Sequence, residues 1–183
     1  MATLLERALG AAQLDARIYE EVEADPNAMG EAMIVVAAAS IANGIGSAGF
    51  SGPVGMIVGV VGSLVGWFLW AGLTYLIGAK LMPEPQTHAN MGQLLRTLGF
   101  SAAPGVLQVA GIVPFVGWLV FFAAWVWQLA AMVVAVRQAL DYRSTPRAVL
   151  VCTIGFAIYL GFYMTLLAVF VGAAIIGGAL LFG

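Results

Sequence analysis

Residues 66–104, GWFLWAGLTYLIGAKLMPEPQTHANMGQLLRTLGFSAAP, decide how the chain is read. An apolar run reaches Lys80, gives way to a short polar loop, and resumes as a second apolar run after Arg96. Helices that cross a bilayer need roughly 20 largely apolar residues, so this stretch reads as one helix leaving a membrane and another re-entering it. The rest of the chain follows the same rule. No charged residue lies between Glu31 and Lys80, between Arg96 and Arg137, or after Arg147. The composition is 62% hydrophobic and 9% charged, against about a quarter charged in soluble domains. A soluble globular fold is excluded. Runs such as Val54–Leu81 do not alternate as barrel strands must, and the backbone in lipid must satisfy its own hydrogen bonds. The expected fold is all-α, with five membrane-spanning helices.

Taken in order, residues 1–25 form the first expected unit, a cytosolic amphipathic helix. Leu5, Leu9, Ala12, Ala16 and Tyr19 make its apolar stripe, and Glu6, Arg7, Asp15, Arg17, Glu20 and Glu21 cover the opposite face. This segment is charged throughout, without the apolar core of a signal peptide. The second unit, residues 26–183, is the membrane domain. Asp25-Pro26 marks its start, an acidic cap before a proline that needs no donor in a first helical turn. Spans are expected at about 27–45, 54–81, 91–111 and 118–140, with the last from Ala148 onward as one long helix or as a helix and a re-entrant segment.

Several residues stand out within this frame. Gly55, Gly59 and Ser63, with the pair Gly62 and Gly66, place small side chains at four-residue spacing, the pattern that lets membrane helices approach closely. Asn43 and Gln108 are polar positions inside spans, and Pro104-Gly105 breaks the third span at mid-depth. These four could line a path or face a partner. Arg137, Arg143 and Arg147 form a basic cluster around the second polar loop, suited to anionic headgroups. Gly44-x-Gly46-x-x-Gly49 copies a dinucleotide fingerprint but lacks the preceding strand that the motif requires. His88 and Glu84 share a loop, too few ligands for a metal. Cys152 sits alone in an apolar run. No catalytic set, metal site or cofactor is expected, and no basic patch is dense enough for nucleic acid.

All seven basic residues fall in the N-terminal segment or beside the loops at 82–92 and 141–147. With five crossings these regions share one side, and the positive-inside rule assigns that side to the cytosol, with the C terminus outside.

A family resemblance follows from particular residues. The second span ends in Tyr75-Leu76-Ile77-Gly78, the third carries Leu98-Gly99-Phe100-Ser101 and Ala103-Pro104, and Trp127, Arg137 and Ser144-Thr145-Pro146-Arg147-Ala148 follow. With the lead-in Tyr19 to Pro26, this order resembles the Yip1-domain family and is most similar to its bacterial members. The resemblance implies a five-helix protein of a bacterial inner membrane, with a cytosolic N terminus. Eukaryotic members are membrane adaptors associated with Rab GTPases, but their acidic-aromatic N-terminal motif is missing here, so no Rab partner is expected. The reading that results is a non-enzymatic adaptor or structural subunit whose partners are membrane lipids and other membrane proteins. The alternative is a small transporter or lipid-handling protein with a path along the Pro104-broken helix. The topology is directly testable: a periplasmic reporter fused after Gly183 is expected to be active and a cytosolic reporter there silent, the reverse pattern meaning an even number of crossings.

Overall fold

In the computed structural model, the backbone is described for residues 2–182, with side chains for all of these except 48–51, 53–56, 166–167 and 170–182. Gly49, Gly55 and the apolar tail toward Gly183 therefore lie outside the residues whose side chains are described. Every regular element among the described residues is helical.

The N-terminal segment is two helices, not the one continuous helix expected over residues 1–25. α1 (Leu4–Ala12) opens on a reciprocal cap, in which the Thr3 hydroxyl accepts from the Glu6 amide and the Glu6 carboxylate accepts from the Thr3 amide. It ends because Leu14 takes a left-handed φ of 64° and Asp15 caps a new helix by accepting from the Arg17 amide. α2 (Ala16–Ala24) then folds back on α1. The fold-back moves the apolar stripe. Tyr19 and Val22 are fully buried, whereas Leu5 and Leu9 stay exposed.

α3 (Ala28–Thr74) contains one non-helical residue, Gly52, with φ 64°. Asn43 Oδ1 nevertheless lies 3.9 Å from where a Cβ on Gly59 would stand. A straight helix would separate residues 43 and 59 by about 24 Å, so α3 is a helical hairpin folded at Gly52-Pro53. The broad outer turn expected over residues 44–53 is therefore much shorter: helix continues past Gly44 and Gly46, and the fold is made at a backbone angle that glycine adopts freely. The hairpin's two arms, Ala28–Ser47 and Ile57–Leu81, are each long and apolar enough to cross a membrane. The second arm ends in a π-helical turn, Tyr75–Leu81.

The expected third span is also divided. α4 (Met91–Phe100) is capped by Asn90 and Gln93, and a 3₁₀ helix, Ala103–Ile112, follows it. Proline at 104 offers no N–H to the Phe100 carbonyl and disfavours the α conformation at the residue before it, so the α-helix ends before Pro104 is reached. α5 (Gly117–Ala139) and α6 (Thr145–Phe182) complete the chain, and α6 is one helix to its end. The first arm of α3, Gly117–Ala139 and Thr145–Thr165, together with the second arm, make four candidate spans among the described residues.

The core sits toward the charged end. There α2, α4, the first arm and the last turns of α5 enclose Tyr19, Val22, Leu94, Phe100, Val136 and Leu140. Above it the 3₁₀ helix packs between the first arm and α5, backbone against backbone. A Cβ on Gly46 would collide with the Gln108 carbonyl oxygen, and one on Gly111 would stand 2.7 Å from the Gly46 carbonyl oxygen. By contrast, a Cβ on Gly62 meets nothing within 4 Å. Gly46→Ala is expected to lower stability by about 1–3 kcal/mol or more, as overpacking does, and Gly62→Ala to leave it nearly unchanged. Thermal unfolding in detergent would check both, and equal effects would contradict the packing described.

Candidate functional site

The charged end is built around two buried guanidinium groups. Arg7, 3% exposed, donates to Glu21 at 2.9 Å, Asp25 at 3.0 Å and Glu31 at 2.9 Å. This ties α1 to α2 and to the start of α3. Burial works against the Arg7 cation, and the three carboxylates more than offset it, holding its pKa above the ordinary value. Arg96, reaching from α4, donates to the Val22 carbonyl at 2.9 Å and to the Glu23 carbonyl. A cation thereby meets the negative end of α2. The cap expected at Asp25-Pro26 is displaced: the helix begins at Ala28, with Asn27 in the cap position and no side-chain cap of its own. The Asp25 carboxylate instead accepts from the Asn27 amide at 3.0 Å, just outside the helix.

The two polar loops clasp each other. Thr87 Oγ1 donates to the Leu140 carbonyl and Gln86 to that of Asp141. The Tyr142 hydroxyl lies 2.9 Å from the carbonyl oxygens of both Gly78 and Met82, beside the π-helical turn. The basic cluster is divided among different tasks. Arg147 donates to the Met82 and Pro83 carbonyls and lies 3.6 Å from Glu84; Arg137 donates to the Tyr142 carbonyl; and the Arg143 side chain is exposed. Glu84 also accepts from the Arg143 amide, which leads the causes holding its carboxyl below the usual range. No group of three metal-ligating side chains occurs among the described residues.

The second feature is a cavity of about 500 Å³ between the helices. Its walls come from both arms of α3, α4, the 3₁₀ helix, α5 and α6, and no described lining residue is charged. Across one wall runs a chain of amides. Asn43 Nδ2 donates to Gln108 Oε1 at 2.7 Å, and Gln108 Nε2 donates to Gln128 Oε1 at 3.2 Å. The hydroxyls of Ser63, Ser101 and Thr153 are spent on carbonyls of their own helices. Trp67 Nε1 donates to the Leu95 carbonyl, whereas Trp70 Nε1 is buried with no partner among the described residues. Trp125 on α5, with Val149, Thr153 and Phe156 on α6, lines the cavity and is also exposed, so the cavity opens between α5 and α6.

The structure places the sequence-selected residues unevenly around this cavity. Asn43 and Gln108 are directly bonded, and Pro104 and Gly105 are buried at the start of the 3₁₀ helix that carries Gln108. A Cβ on Gly105 would stand 2.9 Å from Gln128 Oε1, so glycine here lets α5 bring its amide close. Ser63 and Gly66 line the cavity, with the Tyr159 hydroxyl 3.5 Å from a Cβ on Gly66. Gly59 faces Asn43, and Gly62 faces open space. Gln128 was missed by sequence reasoning, although it is the one amide side chain between Gly117 and Val136.

A helical hairpin, a divided third segment and two further long apolar helices define a multi-pass membrane protein. The sequence model of the Yip1 domain matches residues 16–165, and the chain belongs to the Yip1 domain family. No curated protein and no solved structure matches it.

One acid in this assembly is poised near neutrality. Burial, then the nearby Asp141 charge and, more weakly, Glu20, push the Glu23 carboxyl up to about 7, with Arg96 opposing them. Between the usual glutamate range and about 7, the folded protein keeps a proton that the unfolded chain has released. Docking of α2 should therefore weaken as pH rises through that window. Glu23→Gln is expected to remove this dependence, matching wild type near pH 4.5 and holding α2 more tightly at pH 8. Hydrogen exchange of the α2 amides, corrected for the intrinsic pH dependence of exchange, would check it, and parallel pH profiles would contradict it.

Proposed function

We propose that this Yip1-family protein is non-catalytic and handles lipid, holding a lipid-like molecule in the cavity beside its broken third segment. The observation that carries this reading is the uncharged cavity, walled by every long segment and open sideways between α5 and α6. Acidic and basic residues inside a membrane usually mark ion or proton paths, and the described lining of this cavity holds no Asp, Glu, Lys, Arg or His, so a neutral or lipid cargo fits it better. Pro104 and Gly105 set the 3₁₀ helix that bears Gln108, which makes the broken segment part of the cavity wall.

In this reading α4 and the 3₁₀ helix together make a further crossing. The 3₁₀ helix extends about 20 Å and α4 a further distance of about 15 Å, with α4 at the charged end where Arg96 meets α2, so the pair carries the chain from one side to the other. Five crossings then place all the basic residues on one side, which the positive-inside rule makes the cytosol, with the C terminus outside. The membrane in this reading is a bacterial inner membrane, taken from the resemblance of the Tyr19–Pro26 lead-in to bacterial members of the family. No cofactor enters this reading.

A second reading, an adaptor or structural subunit, is favoured by the charged end, where the Arg7 network and the loop clasp hold a fixed polar face. Two measurements separate the readings. Liposomes holding only this protein are expected to show lipid scrambling or neutral-solute flux, and Pro104→Ala, which restores the missing donor, to lose most of it. Gentle purification from native membranes followed by mass spectrometry of the intact assembly would instead favour the adaptor if a stoichiometric protein partner appears and the liposomes are silent.

A further inference from the structure

The cavity's chemistry specifies its ligand more narrowly, and the specification rests on the lipid-handling reading. Consider charge first. A phosphate or ammonium head seated among these walls would give up its hydration with no counter-charge in reach, an unfavourable exchange. The head must be neutral. Consider hydrogen bonding next. The amide chain Asn43–Gln108–Gln128 uses one donor and one acceptor in each of its two bonds and leaves further N–H groups unspent. Trp70 adds an indole N–H, a group that only donates, buried without a partner among the described residues. A ligand that satisfies this wall brings acceptor oxygens.

Depth decides between kinds of neutral lipid. Trp127 Nε1 donates to the Ala12 carbonyl at 2.7 Å, at the end of α1. A few residues further on, Arg17 carries a side chain 87% exposed, paired with Asp15. Exposed ion pairs belong outside the hydrocarbon, so Trp127 marks the membrane interface on α5, where indole rings collect. Of the α5 residues that line the cavity, Trp125 lies on the membrane side of that level, and Gln128, Leu129, Met132 and Val133 run from it toward the charged end over about 9 Å, which places the cavity in the interfacial layer. The ester carbonyls of a glycerolipid lie just beneath the headgroups, at the same depth.

We propose that the cavity binds the uncharged glycerol-ester end of a diacylglycerol, entered between α5 and α6, with Trp70 and the amide wall donating to its carbonyl oxygens. A cavity of about 500 Å³ lies within the range of small-molecule sites. It houses the polar end while the acyl chains run out through the α5–α6 opening into the bilayer.

The test uses the full-length protein in detergent and in vesicles of phosphatidylcholine. A photoactivatable diacylglycerol is compared with a photoactivatable phosphatidylglycerol of the same chains and with a photoactivatable quinone. Labelled peptides are then mapped by mass spectrometry. The expected result is saturable diacylglycerol labelling on α5 around Trp125–Val133 or on α6 around Val149–Tyr159, competed by unlabelled diacylglycerol and at least about tenfold stronger than that of the phospholipid. Trp70→Phe keeps the ring and removes one donor, and is expected to weaken labelling about fivefold, the worth of one hydrogen bond. Gln128→Leu is expected to act in the same direction.

Labelling that does not saturate, equals that of the phospholipid, or favours the quinone would overturn the proposal. So would full labelling of a folded Trp70→Phe protein. The assay reads occupancy and not movement, so its failure is distinguishable from that of the broader reading. Scrambling without diacylglycerol labelling removes this site and leaves lipid handling standing. Labelling without scrambling or flux retains the site and removes the lipid-moving role.

Discussion

A single missing hydrogen atom shapes the middle of this protein. Pro104 has no amide proton for the Phe100 carbonyl, so α4 stops and a 3₁₀ helix takes over at Ala103. The tighter helix brings its backbone against Gly46 and presents Gln108 to Asn43 on one side and Gln128 on the other. An unbroken α-helix through this region would point these side chains elsewhere. The cavity wall, the backbone contact at Gly46 and the polar link between three segments all depend on that interruption.

The charged end solves a different problem. A guanidinium 3% exposed is expensive to desolvate, and Arg7 meets that cost with three carboxylates drawn from α2, the α2–α3 connection and α3. Removing any one would leave charge imperfectly compensated. This makes the arrangement a strong determinant of how the N-terminal helices dock, whatever its net contribution to stability. Arg96 of α4 acts on α2, closing its carbonyl end.

Much of this was legible in the sequence because charge segregation and hydropathy act locally. The polar loops, the apolar segments and the break near Pro104 all follow from residues close together in the chain. What depended on contacts across the fold was not legible. Spacing along one helix singled out Gly59, Ser63, Gly62 and Gly66, but close approach needs a particular partner opposite. That partner exists for Gly46 at Gln108, for Gly99 at Ala32 and for Gly78 at Leu140, while Gly62 faces open space. Asn43 and Gln108 were visible as lone polar groups, but nothing along the chain says they bond to each other. The α1–α2 turn was written in the capping potential of Asp15, masked by an apolar periodicity that runs through it.

The hydrogen bond from Trp127 to Ala12 has a mechanical meaning for the surrounding bilayer. With Trp127 at the interface, as proposed above, the lipid-facing part of α5 on that flank, from Trp118 to Trp127, is about 14 Å tall. The second arm, Ile57–Leu81, offers about 37 Å of largely apolar helix. Lipids beside these two helices are then asked to match very different hydrophobic heights, and a bilayer meets such mismatch by thinning, thickening or helix tilt. On that placement the protein presents unequal heights to the bilayer, the shorter one next to the N-terminal helices, and membrane strain would gather there.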